Sequence, residues 1–336
     1  MKKVAVVAAL AALVPAAAFA DAVELKYVVQ PPPQASINAR AAVPWVDEVM
    51  KDAGGTIDIK VFYGNIANMA NSYDRLLNGV ADMAYGILGP ISGQFPKTSV
   101  ATLPFEVKTS AEAGSALWAL FQRGLIADEW SKVKVLALGA FPNVGLHARK
   151  PIHTMADMKG VKTSVQSRLA GETVAALGGT PITMPILDVY GALQRGAIDA
   201  VAIGWPATST FKINEVVTNH TDVPLAAEVI YQAMNKDSYA KLPDKAKQAI
   251  DAKLGPHYDA LLGKAIDDNE QESKAFTRSK GQTIDELAPA ELAKWRQTAA
   301  PIVDAWVKAT PDGDKVLAAF REEIAKIRSA TPAVRK

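Results

Sequence analysis

Residues 57–61 read Ile-Asp-Ile-Lys-Val, apolar and polar in strict alternation, which marks a strand with one buried and one wet face. Just before it, "PWVDEVMKDAGG" (44–55) puts Trp45 with Val49 and Val46 with Met50 on one side of a helix. Pro44 suits the start of that helix and Gly54-Gly55 its stop. The same two periods alternate along most of the chain. Strands are expected at 23–29, 57–63, 133–138, 161–165 and 180–185, and helices at 66–78, 110–123, 168–179 and 187–195. "QPPPQ" (30–34) is a rigid loop that ends the first strand. In "HTMADMKG" (153–160), Thr154 and Asp157 have capping-box spacing, which predicts a short helix closed by Gly160. Strands and helices alternating at this length imply an α/β fold, with parallel sheets covered by helices on both faces.

The pattern contains a repeat. Residues 76–87 read LLNGVADMAYGI and residues 193–204 read LQRGAIDAVAIG. Each copy joins a helix end, a glycine that can turn left-handed, an aspartate three places later and a short apolar run. Each therefore reads as the helix-to-strand half of a βαβ unit, and the pair suggests two similar lobes. Gly79, Asp82, Gly196 and Asp199 are read as turn and helix-end residues, with ligand contacts falling just beyond them. Towards the C-terminus the pattern turns helical. Leu292, Trp295, Ala299, Ile302 and Trp306 form one core-facing stripe and Leu317, Phe320, Ile324 and Ile327 another, with Pro301 expected to bend the first.

Composition narrows the class. Lys2 and Lys3, a short apolar stretch and Ala18-Phe19-Ala20 form a secretory signal, with cleavage expected after Ala20. The expected mature protein is soluble, periplasmic and not inserted in the membrane. The chain carries 37 basic and 35 acidic residues, and loss of the two leader lysines leaves it neutral. A neutral chain without a basic block argues against nucleic acid as a partner. Cysteine is absent, and His147, His153, His220 and His257 lack metal-ligand spacing, so no cofactor or metal is expected. "GPISGQ" (89–94) is not a hydrolase elbow because Ser92 stands one place too late. No nucleotide-binding glycine motif occurs, whereas a carboxylate pair that meets only in the fold stays open.

"KPIHTMADMKGVKTSV" (150–165) and "AALGGTPITMPILDVYGALQRGAIDAV" (175–201) resemble the second-lobe signature of the DctP-type solute-binding proteins of tripartite ATP-independent periplasmic (TRAP) transporters. "GNIANMANSYDRLLNGVADMAYG" (64–86), "ATLPFE" (101–106) and "MNKDSYAKLP" (234–243) support the resemblance, which runs from about Glu24 to about Arg321. It implies a two-lobed, venus-flytrap periplasmic-binding-protein fold with long C-terminal helices packed across both lobes. On this basis 1–20 is the signal, 21–143 the first lobe with a return segment at about 233–270, 144–232 the second lobe, and 271–336 the spanning helices. The resemblance implies no catalysis: a small organic acid is captured and handed to a small and a large TRAP membrane subunit.

The chain departs from the family where charge matters. Family members commonly carry an arginine, which forks onto the solute carboxylate, where this sequence has Ser164. An often polar family position falls on Ile87, and Trp205 stands in a Gly-Trp-Pro turn expected to line the cleft. Arg168 could restore the guanidinium from a new direction, and Gln30, Asn143 and Gln166 are candidates for hydrogen bonds at strand ends. This less charged site predicts a monocarboxylate with an aromatic or branched apolar group, with a neutral or amine-bearing solute as the fallback. An exported hydrolase or lyase, and a binding protein serving a chemoreceptor or sensor kinase, are the competing functions.

Overall fold

A computed structural model describes residues 22–64, 66–142 and 144–330; the leader and Asn143 lie outside them. The strands are β1 (Val23–Val29), β2 (Ile57–Tyr63), β3 (Met83–Ile87), β4 (Val133–Phe141), β5 (Val144–Ala148), β6 (Lys162–Val165), β7 (Thr180–Thr183), β8 (Ala200–Gly204), β9 (Asn219–Asp222), β10 (Glu228–Asn235) and β11 (Thr283–Glu286). They form two sheets, ordered β2-β1-β3-β10-β4 and β11-β9-β5-β8-β6-β7.

The two sheets share one plan. In the first, β2, β1 and β3 are parallel and β10 runs antiparallel between β3 and β4. In the second, β7, β6 and β8 are parallel and β5 runs antiparallel between β8 and β9. The antiparallel strand in each sheet is the one the chain enters directly after crossing between the lobes. β4 leaves the first lobe and continues as β5 in the second, and β9 leaves the second and continues as β10 in the first. Two connections, between Phe141 and Val144 and between Asp222 and Glu228, thus join the lobes.

The repeat seen in the sequence has a matching geometry. Gly79 and Gly196 both take left-handed φ, +67° and +70°, just after a helix. Beyond them the aspartates clamp the neighbouring parallel strand in the same way. Asp82 N–H donates to Lys26 O while its carboxylate accepts Lys26 N–H (2.8 Å); Asp199 N–H donates to Lys162 O while its carboxylate accepts Lys162 N–H (3.0 Å). These residues fix β3 beside β1 and β8 beside β6, so the strands end at matching edges of the two lobes.

Helices bind the lobes together at the back. Pro256–Ser279 packs on the first-lobe helix Ser110–Gln122 and on β4, then on the second-lobe helix Trp205–Thr210 and on β11. Pro289–Ala309 places Trp295 in the second-lobe core and Trp306 in the first-lobe core, with Pro301 between them.

Several expectations need correction. The return to the first lobe starts at Glu228, the head of β10, and not at 233. Within the largely helical C-terminal part, the unexpected strand β11 pairs with β9 and extends the second sheet. The segment around Thr154 is a run of turns and not a helix. Asp157 still accepts Thr154 N–H (2.8 Å) and donates its own N–H to Thr154 Oγ1 (3.4 Å). The capping hydrogen bonds form, but no helix follows because the chain turns back at Gly160, whose N–H is taken by Gly178 O (2.8 Å).

Candidate functional site

The carboxyl ends of β1, β2, β3 and β4 share one edge of the first sheet, and those of β6, β7, β8 and β9 share one edge of the second. Both crossings leave from these edges, so the edges face each other. In open α/β sheets such a crevice beyond the strand ends is where ligands bind.

On the first-lobe edge, Gln30 follows β1 and donates from Nε2 to Tyr85 O (3.2 Å). Ile87 ends β3, half-buried, opposite Ile230 of β10. One pleat further out stands Glu228, opposite Phe141, the last residue of β4. Its Oε1 accepts Gly89 N–H (2.8 Å). Burial pushes this carboxyl up to about 7, against the pull of the Gly89 and Leu88 N–H groups, and no basic side chain among the described residues offsets it. Glu228 was not a candidate in the sequence. Its one signal is an acid heading the apolar run "EVIYQAM" (228–234), where an edge of a buried strand is left open.

On the second-lobe edge, Ser164 lies on β6 between Ile182 of β7 and Val201 of β8 and is fully buried. Gln166 follows β6 and reaches back with Nε2 to Ser164 Oγ (3.4 Å). Arg168 opens the helix Arg168–Ala176 after the cap Ser167, whose Oγ accepts Ala170 N–H (3.3 Å). Its side chain is 78% exposed and pairs with Glu172 one turn on. Ser164 and Gln166 are therefore brought together, while Arg168 stands at the rim with its charge directed along its own helix.

Trp205 is not on the wall. Its ring is fully buried behind it, edge-on to His147 (centroids 4.8 Å apart), with Nε1 donating to Asp222 Oδ1 (3.1 Å) and Lys274 Nζ 5.4 Å from the ring centroid. Gly204 ends β8 and Pro206 sits in the first turn of the next helix, which swings the tryptophan inward against the long helix Pro256–Ser279. This buried cluster also contains His220, Glu270 and Lys274. The sequence could not reveal it, because its members lie on four separate elements.

The described residues contain no helix long and apolar enough to cross a membrane. A sequence model of the bacterial extracellular solute-binding proteins, family 7 (DctP), matches residues 29–309. The chain belongs to this family. Like its structural neighbours, this family 7 protein is a TRAP-type solute-binding protein of two-lobed fold. It is 27% identical over 282 residues to the outer membrane transporter protein TsaT of Comamonas testosteroni, covering 82% of this chain and 83% of that one. A TRAP solute-binding protein from Rhodoferax ferrireducens, solved with copurified benzoate, superposes with TM-score 0.83 at 28% identity over 92% of this chain and 100% of that one. A marine-metagenome TRAP protein specific for aromatic acids, solved with 3-hydroxybenzoate, gives TM-score 0.83 at 27% identity, covering 91% and 99%. The two solved relatives are TRAP solute-binding proteins, and an organic acid is the ligand class they support.

Proposed function

We propose that this chain is a periplasmic receptor for a monocarboxylate with an aromatic or branched apolar body, which it delivers to the small and large TRAP membrane subunits. The observation that carries this reading is Ser164, a buried hydroxyl at the wall position where the family commonly places a carboxylate-binding arginine. With the guanidinium gone from that position, a second ligand carboxylate would enter the closing cleft unmatched, and an unpaired buried charge is costly. An apolar body instead gains roughly 25 cal/mol per Å² buried, several kcal/mol for a ring, a large share of the ~8 kcal/mol of micromolar binding. Ile87 and Phe141 supply apolar surface at the first-lobe edge. Ser164 and Gln166, with Arg168 turning in from the rim, would hold the single carboxylate. The benzoate and 3-hydroxybenzoate found in two relatives support the same class.

Capture would proceed by closure of the lobes about the two crossings, the ligand favouring the closed state through contacts to both edges. Calorimetry with benzoate and succinate tests the ligand class, and solution scattering tests closure. The reading expects tighter benzoate binding, a smaller radius of gyration with ligand, and the ligand recovered unchanged. Preference for succinate, or an unchanged scattering curve at saturation, would count against it.

A further inference from the structure

Glu228 lies at the junction of the first-lobe edge with both crossings, and what it needs from a ligand follows from its surroundings. Its carboxylate is oriented by the backbone, with Oε1 held by Gly89 N–H at 2.8 Å. No lysine, arginine or histidine among the described residues balances it, and its charge helps to raise the buried Tyr85 phenol. Glu228 is only part-buried, so water can reach its carboxylate while the cleft is open. The two edges are thus unlike. The second-lobe edge offers a donor, the exposed Gln166 amide over the buried Ser164 hydroxyl, with the Arg168 guanidinium at its rim. The first-lobe edge offers an acceptor, Glu228, set beside apolar Ile87 and Phe141.

This asymmetry orients an acid. A ligand carboxylate is repelled from Glu228 and drawn to the second lobe. The opposite end of the ligand then meets Glu228 as the lobes close and expel its water. A bare ring edge there would strip a carboxylate of its last partner without replacing it, which costs free energy. A hydroxyl replaces that water and donates a charge-assisted hydrogen bond. We propose that Glu228 selects a hydroxyl on the ligand, so that the receptor takes hydroxylated aromatic monocarboxylates in preference to unsubstituted ones. This rests on the aromatic-acid reading above.

The test is titration calorimetry about one pH unit above the Glu228 value, where its carboxylate is ionised. Benzoate, 3-hydroxybenzoate, 4-hydroxybenzoate and mandelate are titrated into the wild type, Glu228→Leu and Glu228→Gln. At least one hydroxylated acid should bind the wild type about tenfold tighter than benzoate or more, the size of one hydrogen bond to a charged group. In Glu228→Leu that preference should vanish, with benzoate binding unchanged or tighter. If melting curves show that Glu228→Leu does not fold, Glu228→Gln decides, since it keeps an acceptor without the charge and should show a clearly reduced preference. Benzoate binding with no such preference in the wild type, or a preference that survives substitution, overturns the role of Glu228 alone. Failure of all four acids to bind overturns the aromatic-acid reading itself, and this inference with it.

Discussion

His147 Nδ1 and His220 Nδ1 lie 2.8 Å apart inside the second lobe, tying β5 to β9. The contact is the centre of a longer chain. His147 Nε2 meets Ile203 O at 3.1 Å and His220 Nε2 meets Gln282 Oε1 at 3.1 Å. A carbonyl only accepts, so His147 carries its proton on Nε2 and His220 donates between the rings, a tautomer inferred from the hydrogen bonds. Gln282 turns its amide N–H groups to Asn214 O and Val217 O, which leaves its oxygen facing a bare His220 Nε2.

Acid should therefore reach His220 first, because a proton on Nε2 gives Gln282 its missing donor. Both rings sit below the ordinary histidine range. Burial, His220 and Lys274 hold His147 down to about 3, while Gln282 and Asp285 partly offset the effect of burial on His220. The unfolded chain binds these protons before the folded one does. Stability is thus full above an unfolded pKa of about 6.5 and is lost as pH falls from there, by about 1.4 kcal/mol per pH unit for each histidine still neutral in the fold. Imidazole ¹⁵N spectra with urea melts at stepped pH check both statements, and His147 titrating before His220 would refute the order.

Lys274 joins the long helix to the second lobe through Asp222 (2.7 Å) and also pairs with Glu270 of its own helix (2.8 Å), and its side chain is only 7% exposed. Burial works against its charge, but the two carboxylates outweigh burial and hold its pKa above the usual lysine value. Lys274→Met removes the cation from between them and should cost about 3–5 kcal/mol in urea unfolding. A loss below ~1 kcal/mol would show that the cluster is not a structural anchor.

Gly263 lets the long helix cross the first-lobe helix Ser110–Gln122 closely, since a Cβ there would lie 2.7 Å from Ala111 Cα. Backbone cannot give way as a side-chain tip can, so Gly263→Val should destabilise by about 1–3 kcal/mol or more. Differential scanning calorimetry reads this directly. An unchanged melting temperature would mean that the two helices separate without cost.

Arg168 and Glu172 form an i,i+4 ion pair at the cleft rim. If Arg168 turns to meet a ligand carboxylate, it must leave Glu172 to do so. Arg168→Met should then weaken acid binding by about 1 kcal/mol or more, and Glu172→Gln should tighten it by a few tenths, the usual size of an exposed helix pair. Calorimetric titration of both variants tests the competition. Equal affinities in wild type and both variants would remove Arg168 from the site.

The sequence determined the elements governed by local periods. The period-two run at 57–61 became β2, the Gly54 stop took a left-handed turn, and the Gly79/Asp82 and Gly196/Asp199 copies became equivalent strand clamps in two lobes. Ser164 and Gln166, both candidates in the sequence, lie within reach of each other because both sit at the end of one strand.

Tertiary structure decided whatever depends on partners distant in the chain. The hydrogen bonds of Thr154 and Asp157 formed without their helix, because a capping pattern is local but continuation of a helix depends on where the chain must go next. β11 is a strand only because β9 offers it an open edge. Trp205 looked like cleft wall and is core, since its burial is set by His147, Asp222 and Lys274, each from a different element. Glu228 is the same case in reverse. It reads as an ordinary strand-end acid until sheet pairing sets it opposite Phe141, on the edge that faces the second lobe, with no cation among the described residues to meet it.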